Sequence, residues 1–88
     1  MRYRTEEDII ANILDKAKDG CSKTDILYGA RLTYFQLVKY LGLLQEARLL
    51  SYNESKSVYK TTEKGLKFVS LHEQSSKLMK EHSQAIQD

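Results

Sequence analysis

A mainly helical fold with one small β-hairpin is the class this sequence predicts, and three observations predict it. Four stretches with apolar residues at helical spacing each follow a side chain suited to capping a helix start. Two short β-rich runs flank the polar stretch NESKS. No proline occurs in the 88 residues to break a helix.

The first helix begins at Thr5, because Thr5 and the following Glu6, Glu7 and Asp8 supply the oxygen and early negative charge that satisfy free amides. Ile9, Ile10, Ile13, Leu14 and Ala17 form its apolar stripe, and Gly20 offers the left-handed conformation that ends many helices. Ser22, with Asp25 three residues on, opens a second helix of hardly two turns that buries Ile26, Leu27 and Ala30. Thr33 with Gln36 repeats the capping pattern, and Leu37, Leu41 and Leu44 mark the inward line of the third helix. Only a few residues, Arg31 and Leu32 among them, connect helices two and three.

The β-rich runs lie around Leu49 to Tyr52 and Val58 to Thr61, with NESKS as a five-residue loop. Such a hairpin is marginal alone and must lean on the helices. Thr62 followed by Glu63 caps a last helix running almost to the end of the chain, on the order of 37 Å at 1.5 Å per residue. Its Leu66, Phe68 and Val69 can reach the core, whereas residues after 72 extend beyond what a small domain covers. Phe68, Leu71, Ser75, Leu78, His82 and Ala85 occupy a and d positions of a heptad, with Met79 and Ile86 beside the seam. That pattern predicts pairing with a second copy. With Ser75 and His82 polar, an exposed tail is the other reading.

Composition narrows the function classes. The length and the 41% hydrophobic content suit one compact domain. There is no apolar run near the roughly 20 residues that cross a bilayer, and MRYRTEEDII lacks a signal peptide's apolar region, so a cytoplasmic location and no membrane partner are expected. The single Cys21 reads as packing rather than redox chemistry. His72 and His82 stand ten residues apart on one helix, not at the spacing of a metal pair, and no nucleophile set or glycine-rich phosphate loop is visible. No enzyme activity, cofactor, metal site or small-molecule substrate is expected. The net charge is only +2, but residues 20–67 concentrate Lys23, Arg31, Lys39, Arg48, Lys56, Lys60, Lys64 and Lys67 against four acidic residues, Asp25, Glu46, Glu54 and Glu63.

Helix, short helix, tight turn, helix, hairpin, helix is the chain order of a winged helix-turn-helix, whose third helix occupies the DNA major groove while the hairpin loop touches the backbone. With the Leu37, Leu41, Leu44 line inward, Phe35, Lys39 and Glu46 fall opposite. Gln36 and Leu43 lie on one shoulder, Tyr34 and Val38 on the other. Gln36 can pair with adenine, Lys39 with guanine or phosphate, and the Phe35 edge with a thymine methyl. Each also has a plain structural role open to it, Gln36 as the capping partner of Thr33, Phe35 packed on a neighbour and Lys39 solvated. Tyr34 and Tyr40 are expected to bury their rings and point a hydroxyl toward a phosphate. In the NESKS loop, Lys56 is the only cation, with Ser55 and Ser57 as small donors. Lys23 and Thr24 sit at a helix start where free amides and a cation can hold a phosphate.

The run SKTDILYGARLTYFQLVKYLGLLQEARLL, followed by VYKTTEKGLKF, resembles the small archaeal winged-helix DNA-binding proteins of the Sulfolobus Sso-ten-a family. The resemblance rests on Lys23, Thr24, Ile26, Leu27, Tyr28, Ala30, Leu32, Thr33, Tyr34, Leu37, Tyr40 and Leu41, then Thr62, Lys64 and Gly65. It implies a homodimer joined by an antiparallel coiled coil of the last helices, each end carrying a winged helix that binds double-stranded DNA. Chromatin-associated (nucleoid) or transcription-regulating roles follow from the same likeness. On this reading residues 1–67 form the winged domain and 68–88 the dimerisation helix. The family often places Gly two residues before the first strand, where this chain has Arg48 after Ala47, so a differently shaped helix end is expected. The alternative is a winged helix that mediates protein association without DNA.

Overall fold

The structure, a computed structural model, describes residues 4–87, with side chains described for residues 4–75 and 77. Four helices and one hairpin follow in the order α1 (Glu6–Lys16), α2 (Lys23–Gly29), α3 (Tyr34–Glu46), β1 (Leu50–Asn53), β2 (Val58–Thr61) and α4 (Glu63–Gln87). Each of the first three helices opens with a reciprocal capping box: Thr5 with Asp8, Ser22 with Asp25, and Thr33 with Gln36. Six otherwise unpaired amides are thereby satisfied within three short segments.

The core lies where α1, α2 and α3 converge. Ile13, Leu14, Ile26, Leu37 and Leu44 are fully enclosed, and Ile9, Ala17, Ala30, Tyr40, Leu41, Leu50 and Val69 complete the cluster. Leu66, expected to reach this core, is instead exposed, because the buried line of α4 runs through Gly65 and Val69 and turns Leu66 aside.

β1 and β2 pair antiparallel, Leu50 opposite Thr61 and Asn53 opposite Val58. Asn53 therefore belongs to the strand, and the wing turn is residues 54–57 rather than a five-residue loop. The Asn53 side chain organises that turn by accepting from the Ser55 hydroxyl and the Lys56 amide, and Ser57 takes the left-handed conformation at φ 54°. Cys21 adds a third-strand bridge, exchanging backbone hydrogen bonds of 2.9 and 2.8 Å with Tyr59. Its half-buried thiol is pushed up by burial and by the nearby Asp25, which disfavours the reactive thiolate and suits a packing role.

The helix ends show how the chain turns. α1 stops at Lys16, and the chain reverses at Gly20, whose φ of 96° suits glycine alone. α2 and α3 both finish with an arginine in the left-handed region, Arg31 at 53° and Arg48 at 62°. At α3, the Leu49 amide donates to the Leu44 carbonyl and the Arg48 amide to that of Gln45, the paired bonds that close a helix around such a residue. The end of α3 thus has the geometry a glycine favours, with Arg48 carrying it at a cost of about 1 kcal/mol.

α4 starts against that same corner. Thr62 caps it by accepting from the Gly65 amide, and donates its hydroxyl to the Arg48 carbonyl, while Lys64 Nζ donates to the Ala47 carbonyl at 3.0 Å. A Cβ on Gly65 would land on the Leu49 carbonyl oxygen and 2.6 Å from Thr61 Cγ2. Thr61, beside that corner, donates to the Leu14 carbonyl, and Arg4 reaches the Ala30 and Arg31 carbonyls at the end of α2. His72 of α4 meets Asp8 of α1 at 2.8 Å.

Gly65→Ala is expected to lower stability by about 2 kcal/mol, because backbone must move to admit one methyl; urea unfolding measures it. The Asp8 carboxyl is held below the usual carboxylate range by its bond from the Thr5 amide and by His72. Its folded value is lower than its unfolded one, so its stabilising contribution is present above about pH 4 and is lost as acid protonates it. Urea midpoints followed below about pH 5 should fall less steeply in Asp8→Asn than in the parent chain.

Candidate nucleic-acid interface

The first two turns of α3 form the exposed surface that the sequence pattern anticipates. Thr33 and Gln36 fix the start of the helix, the inward leucines lock its rotation, and the opposite face is left open. Phe35 is 78% exposed, and Lys39, Val38 and Leu43 are exposed with it. Phe35 does not tuck against the hairpin of its own chain.

Tyr34 and Tyr40 separate. Tyr40 buries its ring at 5% exposure, inside the core, whereas Tyr34 is 64% exposed, contrary to expectation. The difference follows from position, since Tyr34 is the first residue of α3 and no other element covers that turn. Lys23 Nζ lies 5.4 Å from the Tyr34 ring centroid, which joins the starts of α2 and α3 into one surface. Lys39 Nζ stands at the same distance from the Tyr40 ring, so its stem follows the helix while its charge stays in water.

Local hydrogen bonding decides what the remaining residues can offer. The Gln36 carboxamide oxygen accepts from the Thr33 amide at 3.0 Å, and the Thr33 hydroxyl accepts from the Gln36 amide. Their structural roles are therefore occupied, leaving the Gln36 NH2 group as a free donor. At α2 the capping box takes the Ser22 and Asp25 amides and sets the Asp25 carboxylate at the helix start. That end offers an anion the cation of Lys23 and the hydroxyl of exposed Thr24 rather than an open row of amides. In the wing, the Ser55 hydroxyl is turned back to Asn53, and Lys56 remains exposed. The wing's own strands are braced by Tyr52 and Tyr59, whose ring centroids are 4.5 Å apart.

Three features escaped the sequence pattern. Lys64, read as part of a positive field, is directed into a carbonyl at the end of α3. Arg4 and the Asp8–His72 pair each tie residues that are far apart in sequence, for which periodicity carries no signal. Among the described residues no cluster of His, Cys, Asp or Glu has the arrangement to hold a metal ion, and no helix is long and apolar enough to cross a membrane.

Of the residues that the heptad pattern assigns to a dimer seam, Phe68 is half-buried against the core, Leu71 is 65% exposed and Ser75 is exposed. The side chains of Leu78, Met79, His82 and Ala85 lie outside the described residues.

Comparison with known proteins agrees with this architecture. Among solved structures the fold is similar to that of Sso10a-2, a DNA-binding protein from Sulfolobus solfataricus, with a TM-score of 0.83 and 27% sequence identity. The alignment covers 96% of this chain and 90% of that one. Comparison with curated proteins returns no match. The family model described as winged helix-turn-helix matches residues 3–80. With the helix order, the hairpin register and a family match over most of its length in agreement, the chain belongs to the winged helix-turn-helix family.

Proposed function

We propose that the protein is a homodimeric double-stranded DNA-binding protein that acts as a transcription regulator or an architectural protein. The observation that carries this reading is the uncovered face at the start of α3, where Phe35, Lys39 and Tyr34 stand exposed beside Lys23. In winged helices this is the part that enters the major groove. Likeness to a protein described as DNA-binding supports it.

On this reading α3 lies in the groove, Lys39 and the Gln36 NH2 group face base edges or phosphate, and Lys23, Thr24 and Lys56 hold the backbone on either side. Tyr40 makes no contact, because its ring is buried. Ser55 and Thr33 shape the surface through their local bonds. With so few cations in each copy, affinity depends on two domains acting together, and pairing of α4 with a second copy supplies that link. Exposed Leu71, beside half-buried Phe68, is the described part of the helix face that such pairing would cover.

Titration of a labelled duplex by fluorescence anisotropy should give affinity that falls steeply with salt, with a slope of about −3 for each copy if three lysines meet phosphates. The Phe35→Ala, Lys39→Ala variant should bind more weakly and with a slope shallower by about 1. Binding indifferent to salt, or absent at low salt, would favour protein association through the same surface. Leu71→Lys should halve the mass seen by sedimentation equilibrium while leaving thermal unfolding of the winged domain in place; a parent chain that already sediments as a monomer would refute the dimer.

A further inference from the structure

The open face of α3 is poor in groups that read bases by hydrogen bonding and rich in apolar surface. Phe35, Val38 and Gly42 follow one another at i, i+3 and i+7 and share one stripe, and Leu43 flanks the open face on the opposite shoulder from Val38. Val38 is 51% exposed, and nothing lies within 4 Å of where a Gly42 Cβ would stand, so a partner's surface can approach the helix backbone there. Lys39 is the only cation on the helix. Gln36 has its carboxamide oxygen committed to Thr33, which removes the two-point contact a free glutamine makes with adenine.

Resting on the DNA-binding reading above, we infer that Phe35, Val38 and Leu43 read the C5-methyl groups of thymine, so that the domain selects duplexes by their thymine methyls rather than by base-edge hydrogen bonds. The thymine methyl is the one apolar feature the major groove presents. The surroundings suit an anionic partner with an apolar point of contact: Lys39 stands within the face and Lys23 lies at its edge against Tyr34. A second copy of the same surface would instead bring these cations together. Exposed Glu46 repels phosphate at the far end of the helix and confines the contact to its first three turns.

Two duplexes of one sequence, the second with every thymine replaced by deoxyuridine, isolate the methyl groups. Anisotropy titration at one low salt concentration should show the thymine duplex bound about fourfold more tightly for each methyl contacted. In a Val38→Ser, Leu43→Ser variant, with folding verified by circular dichroism, the ratio between the duplexes should fall toward one. Equal affinity of the parent chain for both duplexes, with salt-dependent binding retained, would overturn methyl reading and leave DNA binding standing. No binding to either duplex would overturn both. Self-association of the parent chain that the variant loses, with no difference between duplexes, would assign the face to a second copy and overturn the inference.

Discussion

Gly65 brings the backbone of α4 against the Leu49 carbonyl with no room for a side chain, and Thr62 and Lys64 bind the carbonyls of Arg48 and Ala47 from the same turn. The start of one helix thus satisfies the exposed end of another, which a short chain with a small core needs at every helix terminus. The direction of α4, the placement of β1 and the angle at which α3 presents its open face all descend from this corner. A cation held there also favours the negative end of the α3 dipole. The run Thr62, Glu63, Lys64, Gly65 is accordingly a structural joint, with its lysine bound to the Ala47 carbonyl rather than only adding positive charge to the surface.

Much of the fold can be read from the chain because its determinants are local. Capping pairs such as Ser22 and Asp25 sit three residues apart, and the Leu37, Leu41, Leu44 line needs only helical geometry to face inward. What could not be read depends on contacts across the chain or on backbone conformation. Nothing in the residue type marks Arg31 and Arg48 as left-handed positions, because arginine is not chosen for that conformation. Tyr34 looked like a border residue on a wheel, yet a wheel does not show which turn of a helix its neighbours cover. Asn53 reads as a loop residue, and its side chain does organise the turn, but its backbone pairs with Val58 in the strand.

The candidate site was legible in outline and ambiguous in detail for a related reason. Gln36 is suited both to reading a base and to closing a capping box, and the box takes its oxygen. Short helices without a thick core depend on such caps, each worth about 1 kcal/mol, so the residues at the front of α3 are divided between holding the helix and facing a partner. Phe35 and Lys39 have no such structural task, and their exposure is the clearest sign that the face has another use.

The bond from Thr61 to the Leu14 carbonyl spans 47 residues of sequence, and the Cys21–Tyr59 bridge closes a loop of similar scale. Local caps let the helices form early, but the wing has little to rest on until the first and last thirds of the domain meet. Contacts between residues so far apart in sequence carry a loop-closure entropy that the local caps of the helices do not. The wing and the first helix are in this sense one cooperative unit, although they stand at opposite ends of the winged domain in sequence.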